Sequence, residues 1–584
     1  MKKLIACGVA AAIAIGAAAL PLLRRCRILA FLPVLCAAFA LPGATTDDFT
    51  VRCMIDISGV TADEPLYEVG PLRLAFRMAG KSDELRKYDT SFGNYLNFPL
   101  PDGSCPVIEA TMYGLRVGIP LGFLKRRDGV HDVRLFCAKS HLMIEVEGHF
   151  DDDMFRLPTV EADLSARKTL SRRVKSAEIA VLAGAPDGVN FSRPVERPIQ
   201  YWTPPDHNTW VGDVSPGVHQ GRLHVFYLFD RRHHASKQGA GGHFYAHLSS
   251  DDLVHWTEHP LALPLDEWWT SQGTGTPFVK DGRLCLSYGL HTSRITKDPL
   301  YPIGGTYAES EDGIHFVKSG KIITDAQNPS IYNIPGGGFE LVTSYGGKKG
   351  VFRSDDLVSW KLYDDKLPFR GDCPSLFDWH GHRYLLQGFK NMAYSPDGKP
   401  GTFIDWTNEP DIAYDGLGVP MVVPWKGDRR LYIGWMRHLA GWGGWLVFRE
   451  LVYFPDGHLG LKWVPEIKPP AAPVTYRAGA GEKLVRTFAA EGGRPALVLT
   501  VDPEKREASF ADDVPEPQFG PAHGSDNFKI GGLRCVDGAY EVKLVVWYDS
   551  KADATIFDAE IGGTRTMICR RAGKFKEAGG RDRR

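Results

Sequence analysis

At 584 residues the chain is too long for a single hydrophobic core, and its hydrophobic share of 43% is that of a globular protein with cores to bury. Lysine plus arginine number 69 against 70 for aspartate plus glutamate, so no basic excess exists to neutralise a phosphate backbone, and nucleic acid is excluded as the main partner. The 63 glycines, 14 tryptophans and 21 tyrosines suit a turn-rich β protein.

At the N-terminus Lys2-Lys3 precedes an apolar run from Leu4 to Leu23, and Arg24, Arg25 and Arg27 precede a second run, Ile28 to Leu41, that ends in small residues. This basic–apolar–small order is that of a secretory signal, and the first run is just long enough to span a bilayer. Residues 1–44 are therefore expected to be a targeting segment, giving an exported, periplasmic or secreted chain, with an N-terminal membrane anchor as the alternative. Seven of the ten cysteines follow this segment: Cys53, Cys105, Cys137, Cys285, Cys373, Cys535 and Cys569. None has zinc spacing, so no metal or other cofactor is expected. They read as mostly buried thiols with room for one or two disulfides, such as Cys53 with Cys105 or Cys137.

Residues 47–198 alternate apolar and polar with turn punctuation, as in Leu72-Arg73-Leu74-Ala75-Phe76 and Val133-Arg134-Leu135-Phe136-Cys137. Short strands of this kind predict a β-sandwich. By strand pattern the stretch from Leu72 to Gly148 loosely resembles laminin-G or concanavalin-like sandwiches. Leu142 to Gly148, followed by acids, reads as a strand and hairpin, and Ala166 to Lys175 as a helix or linker.

From Trp202 a weak repeat appears: Ser250-Asp251-Asp252-Leu253-Val254-His255-Trp256, Ser354-Asp355-Asp356-Leu357-Val358-Ser359-Trp360 and the looser Ser310-Glu311-Asp312-Gly313-Ile314-His315-Phe316. Each follows an apolar strand and ends in an aromatic plug. Units of about fifty residues built this way suit propeller blades, and five fill 202–470. A solenoid or stacked sandwich is the alternative. After Pro469-Pro470 further alternating strands, 495–501, 540–548 and 554–558, predict a second sandwich over 471–570, followed by a frayed basic tail over 571–584. The expected fold class is all-β, a five-bladed β-propeller flanked by an N-terminal laminin-G/concanavalin-like β-sandwich and a C-terminal β-sandwich.

In a propeller the first strand of each blade lines the central cavity, so useful acids lie near blade starts. Cleaving a glycosidic bond takes two carboxyl groups, one attacking or activating water and one protonating the leaving oxygen. Asp213 in Trp210-Val211-Gly212-Asp213-Val214 and Asp372 in Gly371-Asp372-Cys373-Pro374 stand at such starts. At a third start, Gln327-Asn328-Pro329, the chain offers an amide. Locally, each Asp reads equally well as a turn residue.

Together these three stretches resemble glycoside hydrolase family 32, the invertase, inulinase and levanase family, a five-bladed propeller followed by a β-sandwich. Its Asn-Asp-Pro-Asn-Gly, Arg-Asp-Pro and Glu-Cys-Pro motifs align with Gly212-Asp213-Val214, Gln327-Asn328-Pro329 and Asp372-Cys373-Pro374. Gln272 to Thr276 is similar to the family's Phe-Ser-Gly-Ser, and Arg430 to Met436 with Gly441 to Leu451 to its last blade. The resemblance covers about 202–570 and implies a glycosidase of the β-fructofuranosidase type, acting on fructosyl or related furanosyl bonds of an oligo- or polysaccharide. It makes Asp213 the nucleophile and Asp372 the acid/base. Asn328, Tyr245, His247, Thr274, Thr276, Arg231 and Trp442 are the expected substrate-binding residues, and Trp268, Trp269 and Trp445 are further stacking candidates. Two departures follow from the motifs. Asn328 carries no charge to stabilise an oxocarbenium ion, and Asp372 has an arm ~1.5 Å shorter than glutamate. The rival readings are an arabinose- or xylose-releasing propeller glycosidase and a non-catalytic glycan-binding protein.

Overall fold

The computed structural model describes residues 45–578 apart from 47–48, 81–103, 113–114, 125, 127, 139–140, 148, 155–161, 182–191, 205–208, 232–242, 264–269, 293–303, 324–327, 346–347, 369–372, 389, 410–411, 440, 480, 492–495, 513–527 and 535–538. The expected targeting segment, 1–44, lies outside the described residues. Among those described, strands carry the fold, no α-helix occurs, and no helix is long and apolar enough to cross a membrane.

Two five-stranded antiparallel sheets come first. One orders Arg167–Thr169, Glu64–Val69, Leu72–Gly80, Ser104–Met112 and Leu115–Pro120; the other orders Val174–Val181, Phe49–Asp56, Val130–Ala138, His141–Val146 and His149–Met154. Period-two alternation turns Phe49, Val51, Cys53 and Ile55 inward against Leu66, Leu74 and Ile108, while Arg52 points out and pairs with Asp132 at 2.9 Å. Each such side chain contributes roughly 1.5–3 kcal/mol by leaving water. The Leu142 hairpin forms as expected, with Glu147 turning it at φ +53°. The helix or linker expected over 166–175 does not form: Arg167–Thr169 is an edge strand, exposed at every position, so it shows no apolar period to read. Ahead of residue 198, Arg193–Pro194 pairs with Thr257–Glu258 of the following sheet.

Four antiparallel sheets follow, one of them of nine strands, and they contribute five neighbouring strands: Thr209–His219, Pro277–Lys280, Ser330–Asn333, Pro374–Trp379 and Gly418–Trp425. Each packs on the next, and the fifth packs back on the first. Side chains lace the ring shut. Ser215 Oγ donates to Gly275 O at 2.7 Å, and Thr276 Oγ1 both donates to Ile331 O and accepts from Ile331 N at 2.7 Å. Tyr332 Oη donates to Pro374 O at 2.8 Å, and Ser375 Oγ accepts from Val422 N at 2.9 Å. The nine-stranded sheet closes the ring through the Val211–Gly444 pair, and across it Trp435 Nε1 donates to Asp213 Oδ1 at 3.0 Å.

The sequence repeat proves to be a turn device. Asp252 Oδ1 accepts from Val254 N and His255 N, and Asp312 and Asp356 make the same pair of bonds in their copies. The next position is left-handed in all three, Leu253 at φ +67°, Gly313 at +74° and Leu357 at +62°. Leucine is strained there, and full burial of both leucines offsets the cost.

The C-terminal part pairs a four-stranded sheet, Val474–Ala478, Tyr540–Asp549, Ala554–Ile561 and Arg565–Ala572, with a five-stranded one built on Ala496–Asp502. Phe488, Leu499, Phe510 and Phe557 fill the space between them. The tail expected to fray from Arg570 is strand instead. Arg571 is buried and its Nε donates to Asp512 Oδ1 at 2.6 Å, with Phe575–Glu577 pairing beyond it; residues 579–584 lie outside the described residues. Cys53, Cys137, Cys285, Cys373 and Cys569 are free, buried thiols, so the disulfide considered for Cys53 does not form.

Candidate functional site

Asp213 sits on a β-bulge. The pairing of its strand with Arg222–Arg231 slips between Val211 and Val214, and a bulge of this kind re-aims the side chain it carries. Gly212 permits the bend: a Cβ there would lie 2.0 Å from Trp442 Cη2 and 2.9 Å from Leu228 O. The carboxylate is 7% exposed, and donors from three sheets meet on it. Trp435 Nε1 reaches Oδ1 at 3.0 Å; Thr274 Oγ1 reaches Oδ2 at 2.6 Å; Cys373 Sγ lies 3.4 Å from Oδ2 and 3.3 Å from Thr274 Oγ1. An indole N–H can only donate, so Asp213 acts here as an acceptor with fixed orientation.

Strain gathers around it. Cys373 stands at φ +54° and Val419 at φ +44°, each directly before a proline that opens the first strand of its sheet or continues it. Left-handed backbone is costly for both residue types, most of all for β-branched valine, and such positions concentrate at working sites. Gly275 is required by close approach, since a Cβ there would lie 1.9 Å from Ser287 O.

Of the residues expected to bind substrate, Thr274 donates to Asp213 and Trp442 lies against Gly212. Trp442 is half-buried, tilts against Trp435 with centroids 5.3 Å apart, and stacks on His243 at 4.5 Å. His243 Nε2 lies 3.6 Å from buried Asp230 Oδ1. Asn328 is half-buried and precedes Pro329, whose carbonyl accepts from Ser287 Oγ at 2.7 Å.

Other expected residues have different work. Tyr245 is fully buried behind the Thr274 loop: its hydroxyl donates to Gly273 O at 3.2 Å and accepts from Gly275 N at 2.9 Å, so it holds the loop and has no face for a substrate. Burial pushes its phenol up, which keeps it a donor. The Thr276 hydroxyl is committed to Ile331 in the ring. His247 is fully buried, Nε2 to His224 Nδ1 at 3.0 Å, among Phe226, His224 and His259, inside the first sheet and not at Asp213. Trp445 is a plug whose Nε1 donates to Asp549 Oδ2 at 2.6 Å. Arg231 ends its strand with its side chain outside the described residues, and Asp372, Trp268 and Trp269 lie outside them altogether.

Sequence reasoning missed Trp435, Asp230 and His243, and took Cys373 for mere packing. The signal for Trp435 was present in the Gly434-Trp435-Met436 stretch of the last unit, but nothing local ties that indole to a carboxylate more than two hundred residues earlier. Among the described residues no group of three or more histidine, cysteine, aspartate or glutamate side chains is arranged to hold a metal ion.

The chain was compared with known proteins. Residues 206–400 match the glycosyl hydrolases family 32 N-terminal domain. A raffinose invertase of Escherichia coli is 24% identical over 46% of this chain and 65% of its own length, and an extracellular exo-inulinase of Aspergillus niger is 24% identical over 46% and 62%. A probable sucrose-6-phosphate hydrolase of Psychromonas ingrahamii is 27% identical over 35% of this chain and 41% of its own. The chain thus spans less than two thirds of the length of these curated relatives. Among solved structures, an exo-inulinase from Aspergillus awamori has TM-score 0.48 at 16% identity, covering 66% of this chain and 96% of that one. A sucrose-6-phosphate hydrolase from Lactobacillus gasseri has TM-score 0.49 at 14%, covering 64% and 89%. The matched segment, 206–400, contains Asp213, Thr274 and Cys373, and over it this chain is similar to the glycosyl hydrolases of family 32.

Proposed function

We infer that this chain is a glycosidase that hydrolyses fructosyl-type furanosyl bonds, with Asp213 as nucleophile and Asp372 as acid/base. One observation carries the reading: Asp213 is a buried carboxylate turned by a bulge and held by Trp435 and Thr274 at the closure of the ring. A nucleophile that need not reorganise before attack is what such fixed donors provide. In the proposed reaction a carboxylate oxygen of Asp213 bonds to the anomeric carbon as the glycosidic C–O bond breaks. Asp372 gives its proton to the leaving oxygen, then takes one from the water that releases the sugar. Cys373, which follows Asp372, touches Asp213 Oδ2 through its thiol, and this supports the pairing of the two acids in one site.

Trp442, half-exposed and backed by His243, is the stacking face for a sugar ring. In place of a third acid, Asn328 offers a neutral amide that donates to a sugar hydroxyl. The relatives named for raffinose, sucrose 6-phosphate and inulin set the substrate class to test. In the same reading, 202–470 is a five-bladed propeller, 47–198 an N-terminal sandwich and 471–570 a C-terminal one whose last strands run on to Glu577, and the chain is exported.

The test is hydrolysis of sucrose, inulin and levan by the purified chain. Either Asp213→Asn or Asp372→Asn is expected to lower kcat by roughly 10³-fold or more. Unchanged turnover in both variants overturns the two-carboxylate mechanism. Glycan binding by the unaltered chain without any turnover favours a binding protein instead.

A further inference from the structure

Beyond the bonded ring, on the side away from Asp213, lies a second chamber of about 370 Å³. All five strands of the ring contribute to it, through Gly217, Phe278, Asn333, Leu376 and Val423. On each of the three strands that bring Asp213, Thr274 and Cys373 together, the lining starts two or three residues later, at Pro216, Thr276 and Ser375, and Asp213 does not line it. The Ser215–Gly275 and Thr276–Ile331 bonds lie between the two spaces.

The walls are apolar and one end is charged. Glu340 is 3% exposed and accepts from Arg353 at 2.6 Å and from Arg383 at 2.7 Å; Arg383 also donates to Asp378 at 2.8 Å. These two carboxylates and two guanidiniums neutralise one another. Arg430 is left over. It lines the chamber, half-buried, over the Trp379 ring at 5.6 Å, and its hydrogen bonds go only to the carbonyls of Arg429 at 3.1 Å and Asp378 at 3.5 Å. No described carboxylate lies within ion-pair distance of it; Asp428 attracts it from further off and is itself 2.9 Å from His380 Nε2. The chamber therefore carries one unmatched positive charge beside an apolar wall of Phe278, Leu376 and Met421. A dianion would leave excess negative charge beside Glu340, whereas a monoanion balances the site. A planar carboxylate also matches the guanidinium fork.

We propose that this chamber is a binding site for a small organic monocarboxylate, its carboxylate on Arg430 and its apolar body against Phe278 and Leu376. Burial lowers the Arg430 guanidinium from its ordinary value, Asp428 offsets this only in part, and a bound carboxylate relieves the rest of that cost. The volume lies within the range of small-molecule sites.

Benzoate is the probe and benzamide its neutral control, with binding to the full chain followed by calorimetry and ligand-observed NMR. The expected result is saturable benzoate binding in the ~mM range, equal in the unaltered chain and in Asp213→Asn. Binding should weaken at least ~10-fold in Arg430→Gln and in Leu376→Trp, which fills the chamber, and recover in part in Arg430→Lys. No binding, equal binding of benzamide, binding unaffected by both Arg430→Gln and Leu376→Trp, or binding lost in Asp213→Asn each overturns the proposal. Because the readout is binding, failure of the hydrolytic reading leaves this result unchanged.

Discussion

Trp435 Nε1 donates to Asp213 Oδ1 over 3.0 Å, so the Arg429–Arg437 strand is fastened to the Thr209–His219 strand through the carboxylate proposed to react. One bond thereby serves closure and chemistry. Trp435 is fully buried, and its indole has no competing water to donate to.

Trp435→Phe keeps most of the ring and deletes the donor. Leaving Asp213 Oδ1 without that bond is expected to cost about 1–3 kcal/mol of stability. Turnover of sucrose should fall about 10- to 100-fold in kcat with KM nearly unchanged, because orientation of the nucleophile is lost and not ground-state binding. Steady-state kinetics beside a denaturant melt check both parts. Full kcat in a destabilised variant would make the bond purely structural.

What could be read from residues alone follows from which signals are local. The Ser-Asp turns and the strands they join depend on neighbours a few residues apart, and both were legible; Asp213 lies within Thr209–His219 and not ahead of a strand. Tyr245 and His247 were not separable. Every residue of Phe244–Ser250 is buried, so no period-two contrast tells a core face from an open one. Their roles depend on what packs against them, the Thr274 loop for one and two histidines for the other. Cys373 and Trp435 belong to segments far along the chain, and only ring closure brings them to Asp213. The Arg167–Thr169 strand was missed for the opposite reason: an exposed edge has no apolar face to show.

The histidine cluster makes stability pH-dependent. His224, His247 and His259 are buried in the first sheet, with His259 held between Ser192 Oγ at 2.8 Å and Ser249 Oγ at 2.6 Å. Burial lowers His224 to about 3 and His259 to about 4, and drives His247 well below its ordinary value. Arg222, His219 and His315 oppose a further positive charge, and Asp251 and Asp312 offset this only weakly. All three are neutral in the fold and take protons on unfolding below about pH 6.5. Their stabilising contribution is therefore complete above pH 6.5 and lost as pH falls from there toward the folded values. Each contributes a slope of about 1.4 kcal/mol per pH unit in that window. Urea melts from pH 7.5 to 4.5 should show this fall, and His259→Gln should flatten it by about one proton. A slope that His259→Gln leaves untouched would remove the cluster as its source.

The C-terminal sheets are tied to the nine-stranded sheet by a buried ion network. Arg449 Nε donates to Asp415 Oδ2 at 2.7 Å and Nη2 to Asp558 Oδ1 at 2.9 Å, with all three side chains at 0% exposure. Tyr201 Oη donates to Asp558 Oδ2 at 2.6 Å. Arg449→Met strands two buried acids and should destabilise by about 3–5 kcal/mol. Adding Asp415→Asn and Asp558→Asn should restore part of the loss, because neutral amides do not repel in a dry site. Additive destabilisation of the triple variant in chemical denaturation would show that packing, and not charge, accounts for the effect.

Gly212 is where sequence, backbone and chemistry meet most tightly. A methyl group at this position would overlap Trp442 Cη2 at 2.0 Å, and Leu228 O at 2.9 Å blocks a retreat. Gly212→Ala must therefore displace the Trp442 ring, the bulge, or both. The bulge aims Asp213 and the ring is the proposed stacking face, so both kcat and KM on sucrose should worsen, with kcat/KM down about 100-fold. Removing the obstructing ring in Gly212→Ala/Trp442→Leu should recover kcat toward that of Trp442→Leu alone while KM stays high. That pattern assigns aim to Gly212 and grip to Trp442. A Gly212→Ala enzyme with unchanged kcat/KM would show that the backbone around Asp213 has slack the close contacts do not suggest.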